Sequence, residues 1–221
     1  MKSKEALALL RKYGVSESVI RHVKMVRDYA LEIAEQNPSA DVELVEAGAL
    51  LHDIGRARTH GIDHAVVGAD ILRREGVDDR IVRIAERHVG AGLTRAEAVD
   101  LGLPPGDYLP ETIEEKIVCH ADNLIGNTER ITIHEAIRTA QERWTPGALG
   151  RLVAMHCEVF RPETVRLGKG ACSMATMDEV LGEMDVLFRC CHDAGGGGCT
   201  VSVYGHDAKK AAARLDRLGH R

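Results

Sequence analysis

Aromatic side chains are scarce in this chain of 221 residues: phenylalanine, tyrosine and tryptophan together make up 3% of it. Its core must therefore be aliphatic, and a hydrophobic content of 44% supplies enough material for one full core plus a small second unit. No apolar run approaches the roughly 20 residues that span a bilayer. The start, Met1-Lys2-Ser3-Lys4, leads into a short amphipathic helix rather than a secretion signal, so a cytoplasmic protein with no membrane partner is expected. A basic excess is missing too. The 29 Lys and Arg against 34 Asp and Glu leave a net charge of -5, which argues against a nucleic-acid partner held by bulk electrostatics. Asn and Gln number five in total, a composition that suits a protein made at high temperature. The six cysteines include no Cys-x-x-Cys spacing, so structural or free thiols are expected. Cys190, Cys191, His192 and Cys199 have residue types that suit zinc, but in a spacing that matches no zinc pattern.

Apolar recurrence at three and four residues predicts helices over about 3 to 12, 16 to 36, 41 to 53, 63 to 75, 78 to 88, 112 to 126, 131 to 143 and 146 to 160. Ser16 or Ser18 is placed to cap the second, and Gly55 and Gly76 read as stops. Between 89 and 111, glycines and prolines break any long helix, leaving a short helical turn at 94 to 101 in a loop read as the rim of a pocket. After Arg161-Pro162 the character shifts. A helix at 177 to 184, strands at 186 to 191 and 200 to 204, a flexible turn of glycines at 195 to 198 and a final helix at 207 to 218 are expected. The domain reading is residues 1–160 as the main domain, 161–175 as a linker and 176–221 as a small α+β extension. Two strands are marginal alone, so the extension must pack on the helical domain, dimerise as a homo-oligomer or lengthen a partner's sheet. Its four consecutive glycines lack a following Gly-Lys-Ser/Thr and read as a hairpin linker, not a phosphate loop.

Chemistry concentrates where the helix at 41 to 53 breaks, at His52-Asp53-Ile54-Gly55. An imidazole and a carboxylate at the end of a largely apolar helix are withdrawn from water, which is poor placement for a surface pair. His22 lies on or beside the apolar stripe of Val19, Ile20, Val23, Val26, Ala30 and Ile33, and Asp122 borders that of Val118, Cys119 and Ile125. An inward carboxylate without a companion charge costs several kcal/mol, so burial argues for a cation. Imidazole nitrogen and carboxylate oxygen together favour a divalent Mn, Fe, Zn, Co or Ni ion.

The pattern of His22, the pair His52-Asp53 and the distant Asp122 resembles the HD-domain metal-dependent phosphohydrolases. Ile54-Gly55 continues it as in the HDIG subgroup, and the stretches around Glu86-Arg87-His88-Val89-Gly90 and Glu115 to Ile125 look like an archaeal branch. The resemblance covers roughly residues 15 to 130. It implies a mostly α-helical HD-domain bundle in which His22, His52, Asp53 and Asp122 hold one metal and His64 and His88 help hold a second, bridged by Asp53. One departure stands out: Arg87-His88 occupies a place where some two-metal members carry paired histidines.

The implied reaction is hydrolysis of a small phosphate ester or cyclic phosphodiester by metal-activated water, with Asp53 central to catalysis. Among archaeal relatives one known activity is opening of a pterin 2',3'-cyclic phosphate. A nucleoside monophosphate phosphatase is the competing enzyme, and a non-catalytic nucleotide or metal sensor the competing class. Arg56 and Arg58, directly after the His-Asp pair, are the favoured phosphate binders, with His60 and Arg87 as further substrate contacts. Asp63 or Glu86 is the candidate acid for the leaving oxygen. His120, His134 and His156 read as satisfied core histidines, and Tyr108 and Trp144 as the few candidates for stacking on a ring.

Overall fold

Side-chain caps set where most of the helices begin. The computed structural model describes residues 1–126, 129–168, 177, 181, 184–192 and 198–219. After α1 (Ser3–Lys12), Ser16 accepts the Val19 N–H and starts α2 (Glu17–Ala34), and Asp41 accepts the Leu44 N–H at 3.1 Å to start α3 (Val42–Leu51). Then come a 3-10 turn (Ile54–Ala57), α4 (His64–Arg74), α5 (Asp79–Arg87) and the short α6 (Arg95–Asp100). Thr112, Thr132 and Thr145 cap α7 (Ile113–Asn123), α8 (Ile133–Gln141) and α9 (Pro146–Val159). Each such cap is worth about 1 kcal/mol.

Helices α2, α3 and α7 touch one another and form the centre, with α5 laid across α3 and α7 and α4 against α5. The core is aliphatic, as the shortage of aromatics requires: Leu10, Ile20, Ile33, Leu50, Leu51, Ile54, Leu72 and Ile117 are fully buried. Gly55 does not act as the helix stop expected of it. Helix α3 already ends at Leu51, with His52 as its C-cap. A Cβ on Gly55 would overlap the His64 carbonyl and come within 2.7 Å of the Gly68 nitrogen. Its bare backbone lets the turn after the His-Asp pair rest directly on α4, which carries His64.

The extension departs from the expected two-stranded hairpin. Strand β1 (Glu163–Gly168) occupies the start of the stretch read as a linker, and it joins β2 (Leu187–His192) and β3 (Gly198–Tyr204). The described residues form an antiparallel sheet in the order β1-β3-β2, with Val165 opposite Val201 and Phe188 opposite Val203. Alternation buries Cys199, Val201 and Val203 on one face, where α10 (Ala208–Gly219) contributes Ala211 and Leu215 to a second small core. Of the helix expected at 177 to 184, Met177 and Leu181 are helical and most of the rest lies outside the described residues, as does nearly all of the glycine turn. The extension sits on the bundle: Asp185 accepts the Ile133 N–H at the start of α8 at 2.8 Å, and Leu187 and Tyr204 pack against the main core.

Among the described residues the cysteines considered for zinc join no metal-binding group. Cys190 is disulfide-bonded, which also departs from the expectation for the thiols, while Cys119, Cys157 and Cys191 are free thiols. Cys190 and Cys191 are adjacent on β2, so their side chains leave opposite faces of the sheet. Among the described residues no helix is long and apolar enough to cross a membrane.

Candidate metal centre

Six side chains from five segments converge between α2, α3, α4, α5 and α7. His22 comes from α2, His52 and Asp53 from the end of α3, His64 from the first turn of α4, His88 from the end of α5, and Asp122 from the last turn of α7. His52, Asp53, His64 and His88 are buried, whereas His22 and Asp122 each keep 22% of their side-chain surface exposed and mark the open side.

Asp53 is the hub. Its Oδ2 lies 3.8 Å from both His22 Nε2 and His52 Nε2, and its Oδ1 lies 3.1 Å from His64 Nε2 and 3.6 Å from His88 Nε2. Each carboxylate oxygen thus faces its own pair of imidazoles. Asp122 Oδ1 closes one side, 2.9 Å from His22 Nε2 and 3.4 Å from His52 Nε2.

Backbone carbonyls fix the tautomers. Nδ1–H of His52 donates to the Ala49 carbonyl at 2.8 Å, that of His64 to Gly61 at 2.8 Å and that of His88 to Ala85 at 2.7 Å. A carbonyl only accepts, so in neutral rings the three Nε2 atoms carry lone pairs, and all three point at the cluster. His52 Nε2 is fully buried and has no hydrogen-bond partner.

That partnerless buried nitrogen tests whether a divalent ion suits the residues, and they fit it. His22, His52 and Asp53 form one set of donors within 4.8 Å of one another, His52, His88 and Asp122 a second, and Asp53, His64 and His88 a third. Electrostatics agree. Burial disfavours the imidazolium of His52, yet the carboxylates of Asp53 and Asp122 outweigh it and push its pKa up to about 9. Burial likewise opposes charge on Asp53 and Asp122, but the facing histidines hold both well below the usual carboxylate range. His88 is moved down, because burial and the neighbouring His52 and His64 outweigh Asp53. These groups could hold a metal ion.

The arginines divide. Arg56 Nε donates to both oxygens of Asp53 at 2.9 Å, and its Nη2 lies 3.4 Å from His64 Nε2. Arg58 is exposed, with its guanidinium 5.9 Å over the ring of Tyr13, and His60 is exposed. Arg87 turns to Glu111 and Glu115, at 2.9 Å each. The reason is Glu115, a buried carboxylate on α7 that needs Arg87 and, at 3.5 Å, Arg83 as compensating charge. That inward glutamate, one helical turn before Cys119, was the overlooked signal that Arg87 is engaged elsewhere. Glu86 pairs with Arg73 at 2.8 Å, and Asp63 accepts from Thr59, which draws both candidate acids away from the cluster.

Two residues outside the sequence pattern support the centre. The Cys119 thiol donates to the carbonyls of His88 and Gly90, and Asn123 Nδ2 donates to those of Gly90 and Cys119 at 2.6 and 2.8 Å, pinning the end of α5 to α7. On the other side of α7, His120 Nε2 meets His156 Nδ1 at 3.0 Å, and His156 Nε2–H donates to the Tyr204 carbonyl of β3. His120 Nδ1 has no partner, so this pair is less satisfied than expected, and His134 is exposed rather than in the core.

Comparison with known proteins places this geometry. The HD domain family matches residues 19–127, which contain all six converging side chains. A tRNA (cytidine(56)-2'-O)-methyltransferase of Thermoplasma volcanium is 53% identical over 150 residues, covering 68% of this chain and 44% of that protein. An uncharacterised protein of Methanocaldococcus jannaschii is 53% identical over 147 residues, covering 65% of this chain and 86% of its own length. The chain therefore spans less than half the length of the methyltransferase relative. Among solved structures, the HD domain of the L. monocytogenes phosphodiesterase PgpH in complex with cyclic-di-AMP is similar at 17% identity and a TM-score of 0.47, covering 67% of this chain and 92% of that one.

Proposed function

The chain belongs to the HD-domain family, and from that premise we propose that it is a metal-dependent phosphohydrolase acting on a small phosphate ester or cyclic phosphodiester. The observation that carries this reading is Asp53, whose two oxygens each face a pair of imidazoles with Nε2 atoms turned inward. In this reading His22, His52, Asp53 and Asp122 hold one divalent ion, and Asp53 with His64 and His88 can hold a second. When bound, such an ion lowers the pKa of a coordinated water toward neutrality and offsets charge on phosphoryl oxygens.

The chain's own residues do the rest. The carbonyls of Ala49, Gly61 and Ala85 hold three imidazoles in one tautomer and orientation, so no reorganisation is needed when charge develops. Arg56 fixes Asp53 through both oxygens and, with 30% of its side chain exposed at the rim, is the cation nearest an incoming phosphate. Substrate approaches from the side of His22 and Asp122, the exposed ligands. Water adds to phosphorus while the ester P–O bond breaks, and a proton from the water ends on the leaving oxygen. A cyclic diester thereby yields a monoester, and a monoester yields phosphate and alcohol.

The tRNA methyltransferase relatives suggest a different activity. Methyl transfer has no need of four imidazoles and two carboxylates around a cation, and we assign the shared segment the hydrolytic chemistry of that cluster. The test is metal analysis of the purified chain together with hydrolysis of 2',3'-cyclic nucleotides, a pterin 2',3'-cyclic phosphate and nucleoside monophosphates. Asp53→Ala should lose bound metal and at least about 10²-fold of the rate, the loss that removal of even a residue supporting a ligand can reach. Turnover that survives this substitution rejects the mechanism, and bound metal without turnover on any phosphate favours the sensor.

A further inference from the structure

Two cavities open beside the cluster. The larger, of about 380 Å³, is walled by the loop at Gly90 to Leu93, by Glu97 of α6 and Leu101 at its C-cap, and by Ala148 of α9. The smaller, of about 250 Å³, is walled by Thr139 and Leu152 and by Asp122 of the metal centre itself. Asn123, Arg143 and Trp144 line both. The chain has one tryptophan, and it stands here, half-buried, instead of in the core. It is seated closely: a Cβ on Gly90 would lie 3.5 Å from Trp144 Cζ2, and Gly90 has a φ of +59°, a conformation that favours glycine.

Two polar side chains of this double cavity, Asn123 and Arg143, are available to a ligand. Asn123 commits its Nδ2 hydrogens to two carbonyls, so its Oδ1 remains an acceptor. Arg143 is exposed and makes no ion pair among the described residues. The volume of the larger cavity falls within the range of small-molecule sites, which are mostly apolar with a few placed polar groups. Tyr108, the other stacking candidate, is buried and donates its hydroxyl to the Pro104 carbonyl at 2.9 Å, so Trp144 alone offers a ring at the cavity.

We propose that this double cavity holds the flat heterocycle of a nucleotide-like substrate stacked on Trp144, while its phosphate reaches the metal centre past Asp122. The proposal rests on the phosphohydrolase reading above. Trp144 supplies the stacking surface, Asn123 Oδ1 accepts from a ring N–H, and the Arg143 guanidinium donates to ring carbonyl or nitrogen acceptors. A sugar phosphate without a ring would use the metal centre alone.

As the sole tryptophan, Trp144 reports on its own site. Titration of the full chain with adenosine or guanosine 5'-monophosphate should quench its fluorescence saturably, and ribose 5-phosphate should not. In steady-state hydrolysis, Trp144→Leu should raise KM for the nucleotide roughly tenfold at unchanged kcat, in keeping with the strength of base stacking on aromatic side chains, and leave ribose 5-phosphate kinetics unchanged. Arg143→Ala, an exposed change that leaves the fold intact, should raise the nucleotide KM in the same selective way. Equal losses on both substrates, or no quench by nucleotide, overturn the ring site. A saturable quench with no hydrolysis of any phosphate keeps the ring site and removes the phosphohydrolase reading instead.

Discussion

Helix α7 carries two groups of buried histidine contacts, and they behave in opposite ways. Asp122 joins His22, His52, His64 and His88 around Asp53, while His120, two residues and therefore about 200° away around the helix, meets His156. Burial disfavours the charged imidazole in both places. In the first, two carboxylates reverse that preference at His52 and push its pKa up to about 9, while burial still prevails at His88. In the second no carboxylate among the described residues touches either ring: burial moves His156 down to about 4 and His120 well below its ordinary value. What separates a cation site from a neutral hydrogen-bonded pair is therefore the carboxylates, not the histidines.

The largest effect that can break this contrast is stabilisation by an ion. A divalent cation that binds only the folded chain adds about 4 kcal/mol at a thousandfold excess over its Kd. Thermal unfolding of the purified chain should shift upward accordingly with Mn²⁺ or Zn²⁺. Asp53→Asn should abolish the shift, and His156→Gln should leave it whole. A shift retained in Asp53→Asn would mean that the cation is held elsewhere and that the carboxylate hub has been misread. Arg56 gives the next effect. Its Nε holds both oxygens of Asp53, so Arg56→Ala should weaken ion affinity by up to about 100-fold, or ~2.7 kcal/mol, in a calorimetric titration. An unchanged affinity would leave Arg56 only a substrate contact.

Much of the first group was legible in sequence because its parts are set by local rules. The 3.6-residue periodicity put His22 and Asp122 at the apolar borders of α2 and α7, and His52-Asp53 falls where α3 ends. The arginines were not legible. Position in the chain favoured Arg56 and Arg58 alike over Arg87, and tertiary partners are what separate all three: Asp53 for one, the Tyr13 ring for another, the buried Glu115 for the third. Gly55 was read as a helix stop because glycine is common there, but its cause is a close approach to the backbone of α4, which no single sequence displays. Strand β1 was missed although Val165 and Leu167 alternate correctly, since Pro162 and Gly168 flank it so closely that the stretch reads as a connector. Trp144 stood out by its rarity, but the cavity it lines is made from α6, α7, α8 and α9 together.

The smallest effect concerns the second group, and its sign follows from linkage. The folded pKa of His156, about 4, lies below its ordinary value of 6.5, with burial as the main cause. Asp185 favours the charged form of His156 and His134 opposes it, but neither outweighs burial. The unfolded chain therefore binds more protons between pH 6.5 and 4, so this group's contribution to stability is fully present above pH 6.5 and is lost as pH falls through that window. Between pH 7.5 and 5.5 the loss is roughly 1.4 kcal/mol. Glutamine at this position can still donate an N–H to the Tyr204 carbonyl and accept from His120 Nε2, but it does not titrate. Urea denaturation of the wild-type chain and His156→Gln at the two pH values should show the wild type losing that much more stability on acidification. Equal losses in the two proteins would mean that the pair is charged or hydrated in the folded chain, and that the absence of carboxylates does not by itself keep a buried histidine neutral.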